Sequence, residues 1–365
     1  MIVHFKRLVL PFCKLDKLGK VRKQFVRYDS SQPSKILEHL KNRSLLRIRG
    51  KEASNFLQGL ITNDMMHLEE GAANLYALFL NIKGRVLYDV IVYKSQEDDV
   101  YYIECDLQAA DPLQKHLRMY RVRRKIDIDN VGDNINIWTL FDSASDLNSE
   151  HGDSGKQKLE GLIFPCDALN NEASKVVDNI MIYKDPRLSD LGVRILAESN
   201  IERNKIKKYL SSDISISDNT LSYRAFRYKL GIAEGTDDLP PGKPLPLEVN
   251  CDYLHGVSFH KGCYIGQELT ARTNHTGVVR KRLMPLLFEK VPNKSFSYDD
   301  KILDESGNAI GKFRGNEKEY GLGLMRIAES LSAKSLIISD TKIKLLKPNW
   351  WPKDSQKRSA FANRK

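Results

Sequence analysis

The residues best suited to chemistry lie in a short loop around Cys263. Its sequence, FHKGCYIGQE, places Gly262 and Gly266 on either side of the cysteine. Glycine allows a close approach of the backbone or a positive φ, and both favour a tight loop. Lys261 lies two residues before the thiol, and a short helix is predicted directly after the loop, over residues 267–272. A cysteine near a helix N-terminus and beside a cation tends to be a thiolate, the form that binds soft metals and attacks electrophiles.

The residue types leave a second interpretation of Cys263 open, that of a buried cysteine packed as a small hydrophobic side chain. The other four cysteines are Cys13, Cys105, Cys166 and Cys251. They are widely spaced, and the sequence contains no CxxC pair. We therefore expect neither a closed zinc site nor a disulfide framework in a chain of 365 residues. The thiols are interpreted as reduced and mostly buried, with Cys105 and Cys251 structural.

The basic charge is concentrated at the two ends of the chain. The formal net charge is +11; residues 1–28 and residues 342–365 each carry +7, which leaves −3 for the remainder. A nucleic-acid-binding domain usually has its basic excess on a folded face with aromatic residues, so this distribution argues against nucleic acid as a partner. No apolar run reaches the roughly 20 residues that a membrane-spanning helix needs, so no membrane span is expected.

The two basic ends are predicted to lie outside the folded part. Residues 1–33 begin with a basic stretch that is nearly free of acids and mixes Leu, Val and Phe with Lys and Arg. This pattern is typical of a mitochondrial targeting segment, and a disordered basic arm is the alternative. Residues 353–365 are interpreted as a basic tail.

The elements that must position the loop mix helices with hairpin-linked strands. Helices are predicted over residues 34–40, 51–61, 111–120, 197–210 and 220–232, and strands over residues 45–49, 75–80, 86–93, 100–105 and 125–128. Polar residues 142–159 are predicted to be a mobile surface loop, and proline-rich residues 235–247 to be irregular. This arrangement indicates an α+β fold rather than a doubly wound α/β fold.

The C-terminal part is predicted to be a separate all-β unit. Short strands are expected over residues 283–288, 301–303, 309–313 and 320–325. Their spacing is typical of a small β-barrel or sandwich.

The run from residue 223 to residue 283 strongly resembles the mitochondrial YgfZ/IBA-type iron–sulfur assembly factors. The signature of that family, K-G-C-[FY]-x-G-Q-E, is complete at residues 261–268. Residues 56–64 look like the family's first helix and following turn, residues 84–89 like its glycine–arginine hairpin, and residues 349–352 like its C-terminal end. The resemblance covers most of residues 40–352.

The resemblance implies the fold of the glycine-cleavage T-protein, a tetrahydrofolate-dependent aminomethyltransferase. That fold is a ring of α+β subdomains around a folate channel, with a C-terminal β-barrel. The implied organisation is a T-protein-like folate-binding region over residues 34–280, built from two interleaved subdomains, and a barrel over residues 281–352.

The chain departs from the T-protein at two positions. Where the T-protein has a pair of aspartates that includes its catalytic one, this chain has Tyr88 and Asp89. A tyrosine cannot replace an ionised carboxylate at neutral pH. Lys229 stands where the T-protein has its pterin-binding glutamate. These departures argue against aminomethyl transfer. A tetrahydrofolate-dependent C1- or aminomethyl-transferase-like enzyme is retained as the alternative function, with Arg227 and Asp89 as candidate folate-binding residues.

The function that the resemblance implies is assembly of [4Fe–4S] clusters in the mitochondrial matrix, together with A-type scaffold proteins of the ISCA type. The thiolate of Cys263 would be a transient iron ligand, or hold a persulfide or mixed disulfide. Iron–sulfur clusters are normally held by several cysteines, so the partner must supply the other ligands. The supporting motif residues are Lys261, Gly262, Tyr264, Gly266, Gln267, Glu268 and Arg272.

Specific roles follow for some of these residues. Lys261 and Arg272 are interpreted as cations that stabilise the thiolate. Gln267 and Glu268 are interpreted as residues that cap the helix or shape the loop. The basic run of residues 280–282 is either a docking patch for an acidic partner or a solvated surface.

Overall fold

The computed structural model describes residues 11–15, 21–25, 35–143, 174–210, 214–215 and 221–352, and the description below is limited to these. Within the predicted targeting segment, two strands, Pro11–Leu15 and Val21–Phe25, pair antiparallel. The predicted basic tail and most of the predicted loop over residues 142–159 lie outside the described residues. In the described part of the chain, no helix has the length and apolar character needed to cross a membrane.

Strands are the main elements of the described residues. In chain order they are β1 (Pro11–Leu15), β2 (Val21–Phe25), β3 (Lys35–His39), β4 (Arg43–Arg49), β5 (Asn74–Leu80), β6 (Val86–Lys94), β7 (Val100–Asp106), β8 (Asp127–Asn130), β9 (Ile135–Asp142), β10 (Ser174–Val177), β11 (Ile180–Lys184), β12 (Val193–Glu198), β13 (Ile214–Ser215), β14 (Lys281–Phe288), β15 (Lys301–Leu303), β16 (Ala309–Glu317), β17 (Tyr320–Arg326), β18 (Leu336–Ile338) and β19 (Thr341–Leu345). The α-helices are α1 (Ala53–Gln58), α2 (Met66–Glu69), α3 (Ala110–Arg121), α4 (Arg203–Lys208), α5 (Tyr223–Leu230), α6 (Gly235–Asp238), α7 (Gln267–Thr276) and α8 (Ile327–Ser332).

The first sheet has five antiparallel strands in the order β5-β6-β7-β4-β8. It confirms the predicted hairpin, the strand that follows it and the short strand that ends at Gly50. Helix α3 packs on one face because Ala110, Leu113 and Leu117 recur at helical spacing and are buried. Helix α1 buries Phe56 and Leu57 in the same core. The β5–β6 hairpin and α1 are therefore both fixed to the core of this sheet.

The second sheet has the order β10-β11-β12-β9-β3-β13 and corrects two predictions. The predicted helix over residues 34–40 is strand β3, paired antiparallel with β9. Its adjacent residues Ile36 and Leu37 are both buried, in cores on opposite faces of the sheet. Neighbouring apolar residues are expected when both faces of a strand are covered, and they imitate helical spacing.

The predicted helix over residues 197–210 is also shorter than expected. Strand β12 runs to Glu198 because its buried residues pair with β9 and β11. Only Arg203–Lys208 is helical.

The C-terminal unit is a closed barrel in the order β14-β17-β16-β15-β18-β19, with β19 paired back to β14. This confirms the barrel and its four predicted strands, and decides against a sandwich. Strands β18 and β19, separated by Ser339 and Asp340 at positive φ, were not predicted. Helix α5 packs on β14 and β17, and a Cβ at Gly315 would lie 2.8 Å from the Tyr228 hydroxyl. The barrel is thus held directly against the α+β region.

Candidate functional site

The loop of Cys263 is fixed at its C-terminal end by Gly266. This glycine has φ +78 and immediately precedes α7, which extends beyond the predicted end at residue 272 to Thr276. A Cβ there would lie 2.3 Å from the Asn81 carbonyl oxygen and 2.9 Å from the Leu80 Cβ. Only glycine therefore lets the loop pack on the β5–β6 hairpin. Gly262 behaves differently from the prediction, because a Cβ there would meet nothing within 4 Å and its φ is not positive.

The thiol of Cys263 is exposed, whereas those of Cys105 and Cys251 are completely buried. The interpretation of Cys263 as a buried hydrophobic side chain is therefore wrong. Cys105 and Cys251 are buried, as predicted. Burial raises the pKa of Cys105 to about 12 and that of Cys251 well above its ordinary value. Cys13 and Cys166 fall outside the residues whose side chains are described.

Lys261 anchors the loop to the end of α1. Its ammonium donates to the carbonyl oxygens of Gln58 at 2.7 Å, Ile61 at 2.8 Å and Asn63 at 2.6 Å. An ammonium has three N–H donors, so none remains for the thiol. The geometry gives Lys261 an anchoring role that was not predicted, and its stabilisation of the thiolate as a nearby cation stays a prediction. Burial lowers the pKa of Lys261 to about 8.

Thr62 and Asn63, which follow α1, hold the chain segment that leads into the loop. The Thr62 hydroxyl donates to the Gly256 carbonyl at 2.6 Å and accepts from the Leu78 N–H at 2.9 Å. The Asn63 amide donates to the carbonyls of Tyr76 and His255, both at 2.8 Å. Sequence reasoning treated these residues as a turn after a helix. Two adjacent polar side chains directly after a helix were the sequence signal that could have indicated this role.

The other motif residues divide into loop-shaping and exposed ones. Gln267 Oε1 accepts the backbone N–H of Tyr264 at 3.2 Å, which supports the loop-shaping interpretation. The Tyr264 ring lies 5.1 Å from the Lys261 ammonium and packs on the main core. Glu268 and Arg272 are exposed on α7, and neither forms an ion pair among the described residues.

The basic run of residues 280–282 is split by the fold. Arg282 is buried and binds the Asp252 carboxylate in bidentate fashion, at 2.7 and 2.8 Å, and its guanidinium stacks 3.7 Å from the Tyr253 ring. Arg280 and Lys281 are exposed. Only these two remain available to a partner.

The candidate folate-binding residues, Asp89 and Arg227, belong to a central buried charge cluster. Its nine members come from both sheets, from the β11–β12 connection, from α5 and from the residues around α6, and each is at most 6% exposed: Arg43, Asp89, Glu104, Asp185, Arg187, Arg194, Arg227, Glu234 and Asp238. Ion pairs join its members, as between Arg187 and Asp185 at 2.7 Å.

Both candidate side chains form hydrogen bonds or ion pairs within this cluster. Arg227 Nη1 donates to Asp238 at 3.0 Å and to the Ile232 carbonyl at 2.9 Å. Asp89 accepts the backbone N–H of Gly235 at 3.0 Å and lies 3.7 Å from Arg43. Burial raises the pKa of Asp89 although Arg43 opposes it. Both residues therefore have internal partners, while Asp89 Oδ2 and Arg227 Nε are buried without a hydrogen-bond partner among the described residues. Their role in folate binding stays a prediction.

Electrostatics inside the cluster is dominated by Glu234. Burial opposes its charge, but the guanidinium groups of Arg194, Arg187 and Arg227 hold its pKa well below the ordinary value. Arg194 Nη2 also donates a hydrogen bond to Glu234 Oε2. The described residues contain no group of three or more His, Cys, Asp and Glu side chains arranged to hold a metal ion.

Comparisons with known proteins agree with this architecture. Residues 39–141 match the family described as the GCVT N-terminal domain, and residues 280–353 match the CAF17 C-terminal beta-barrel domain. The structure resembles the glycine cleavage system aminomethyltransferase T from Bartonella henselae with a TM-score of 0.64, over 88% of this chain and 87% of that one. At 12% sequence identity this likeness shows the fold alone, and it confirms the T-protein-like prediction.

Sequence relatives are more informative. The chain is 36% identical over 327 residues to the mitochondrial iron–sulfur cluster assembly factor IBA57 of Homo sapiens, covering 86% of this chain and 84% of that protein. It is 32% identical to the homologue of Dictyostelium discoideum, over 74% of this chain and 67% of that protein. The chain therefore belongs to the family of the mitochondrial iron–sulfur cluster assembly factor IBA57.

Proposed function

We propose that this protein is a mitochondrial iron–sulfur cluster assembly factor that acts through Cys263. The observation that carries the proposal is an exposed thiol on a loop whose backbone is anchored on both sides. The family relatives bear this function and compartment in their names. The N-terminal basic stretch is compatible with targeting to the matrix.

The iron–sulfur cluster is the cargo, and Cys263 is one of its ligands. The thiolate of Cys263 binds an iron atom at the protein surface. Clusters are normally held by several thiolates, so the remaining ligands come from a second protein. We assign that partner as an A-type scaffold of the ISCA type, and the product as [4Fe–4S] clusters for mitochondrial targets. Because the ligand set is shared, the cluster leaves when the two proteins separate.

The loop residues preorganise this single ligand. Lys261 and Gly266 fix the backbone two residues before and three residues after the cysteine, and Gln267 bonds the turn between them. A preformed position lowers the entropy lost when the partner binds. The motif residues thus position the sulfur atom, and the sulfur atom binds the iron.

The test is anaerobic reconstitution with a purified A-type scaffold. Iron and sulfide per complex are measured for the wild type, for Cys263→Ser and for Cys105→Ala, a matched control that removes a buried thiol. We expect a shared cluster with the wild type and Cys105→Ala and none with Cys263→Ser. Equal iron content in all three proteins would contradict the role of Cys263.

A cellular readout complements the reconstitution. In mitochondria that contain only Cys263→Ser, we expect low aconitase activity and low protein lipoylation. Tetrahydrofolate-dependent turnover of a methylated or aminomethylated substrate by the purified protein would instead support the alternative, a C1-transfer enzyme.

A further inference from the structure

An apolar groove lies beside α7, between that helix, the residues that lead into the barrel's first strand and the end of the proline-rich segment. Its volume is about 220 Å³, and its apolar lining includes Leu245, Leu247, Leu269, Val278 and Val279. Two of these side chains are unusually open for their type, since Leu269 is 38% and Val278 57% exposed. We call this feature the α7 groove.

A basic cleft of about 600 Å³ adjoins the groove and shares Leu245, Glu248 and Lys281 with it. Five cations line the cleft: Arg85, Lys243, Lys281, Lys312 and Arg314. Lys312 and Arg314 are paired with Asp299, at 3.3 and 2.8 Å.

The other three cations of the basic cleft, Arg85, Lys243 and Lys281, form no ion pair among the described residues. The carboxylates that line the cleft do not neutralise them fully. Asp238 is buried and bound by Arg227 at 3.0 Å, and Glu248 is a single carboxylate that faces Lys281, Arg314 and Arg85. The cleft is therefore a net positive surface next to an apolar one.

Both features are continuous with the Cys263 loop. A Cβ at Gly84 would lie 3.0 Å from the Gly266 carbonyl oxygen and 3.0 Å from the Leu269 Cβ, so the hairpin that carries Arg85 packs on the start of α7. Leu269 is six residues from Cys263, which places them at most about 20 Å apart along the chain. A standard interface of roughly 800 Å² per partner covers that distance.

We propose that the α7 groove and the basic cleft together bind one acidic–apolar segment of the protein that shares its iron with Cys263. The segment places an apolar side chain in the groove and Asp or Glu residues against Arg85, Lys243 and Lys281. Charge complementarity selects this occupant, because an apolar segment without acids would leave the three cations unpaired. The inference rests on the proposed function and names the surface that recognises its partner.

The two halves of the surface make different contributions. Burying Val278 and Leu269 removes apolar area from water, which lowers the dissociation rate. The exposed cations at the rim attract an acidic partner over distance, which raises the association rate and makes it depend on salt.

The experiment measures binding of the cluster-loaded A-type scaffold to the full chain under anaerobic conditions. Val278→Asp tests the groove, and the double variant Arg85→Glu, Lys281→Glu tests the cleft. Val291→Asp and Lys290→Glu are matched controls, because Val291 is 56% exposed and both residues are exposed on the barrel outside the groove and cleft. Thermal unfolding verifies that each variant is folded, and Val278→Ala gives a milder version of the first change.

We expect Val278→Asp to raise the dissociation constant at least tenfold. The double variant should slow association at low salt by about tenfold, and the controls should stay within twofold of the wild type. If the wild type forms the shared cluster and both surface variants behave like the controls, this inference is overturned and the proposed function stands. If the wild type forms no shared cluster, the proposed function itself fails.

Discussion

The Cys263 loop and the central buried charge cluster use their polar groups in opposite ways. In the cluster, nine charged side chains are buried together, and their strongest contacts are to one another. In the loop, the charged and polar side chains bind backbone carbonyls and amides, and the thiol is left at the surface. The polar groups of the cluster hold the two sheets together, whereas those of the loop fix the backbone around one exposed sulfur atom.

This contrast separates the fold of the chain from the chemistry proposed for Cys263. The fold is shared with an aminomethyltransferase, and in this chain ion pairs join the buried charged residues of both sheets, of α5 and of the segment around α6. A metal ligand that must be shared with a second protein has to be exposed. The exposed thiol of Cys263 meets this requirement of the proposed function.

The largest expected effect is on stability and concerns the cluster. Glu234→Gln removes a buried charge that faces several guanidinium groups, and leaving such charges uncompensated costs about 3–5 kcal/mol. Cys263→Ser should change the free energy of unfolding by less than about 0.5 kcal/mol, because the side chain is exposed. Chemical denaturation of both variants measures the difference. A Glu234→Gln protein as stable as the wild type would show that the cluster is not structural.

The next effect compares the two glycines of the motif. Gly266→Ala forces a left-handed residue to carry a Cβ, at about 1–2 kcal/mol, and adds a clash with the Asn81 carbonyl. Gly262→Ala is the matched control, because its Cβ would meet open space. We expect Gly266→Ala alone to lower both the melting temperature and iron uptake. Equal losses in both variants would mean that the packing against the hairpin is unimportant.

A third, smaller effect concerns the Lys261 anchor. Lys261→Met keeps the length of the side chain but leaves three carbonyl oxygens without their donor, which should cost about 1–3 kcal/mol. We expect iron in the shared complex to fall severalfold while the thiol still reacts with a maleimide probe. The control Lys83→Met changes an exposed lysine of the neighbouring hairpin. If the two variants bind iron equally, the anchor does not position the cysteine.

The anchor also shows what sequence reasoning could reach and where it stopped. The motif marked Lys261 as important, but proximity along the chain suggested the thiol as its partner. Its actual partners lie about 200 residues away in sequence, at the end of α1. No local pattern encodes that contact, because it depends on how the first sheet packs against the loop.

The secondary-structure predictions were also right where the information is local and wrong where it depends on long-range contacts. The β5–β6 hairpin and the first four barrel strands were predicted because turn residues and apolar alternation are local. Strand β3 was predicted as a helix because both of its faces are covered by other parts of the chain. The buried charge cluster was missed for a similar reason, since its members come from seven separate segments.

The smallest expected effect is a dependence of stability on acid pH that sharpens the same comparison. The pKa of Glu234 lies well below its ordinary 4.5 in the folded protein, so the unfolded chain binds more protons as the pH falls. The stabilisation from this carboxylate is therefore complete above about pH 4.5 and is lost progressively below it. Glu234→Gln cannot take up that proton, so its remaining stability should fall less steeply between pH 5 and pH 3 than that of the wild type. Each unit by which the two pKa values differ contributes about 1.4 kcal/mol. Cys263→Ser should follow the wild-type curve throughout; parallel curves for all three proteins would mean that Glu234 is not held ionised by its arginine neighbours.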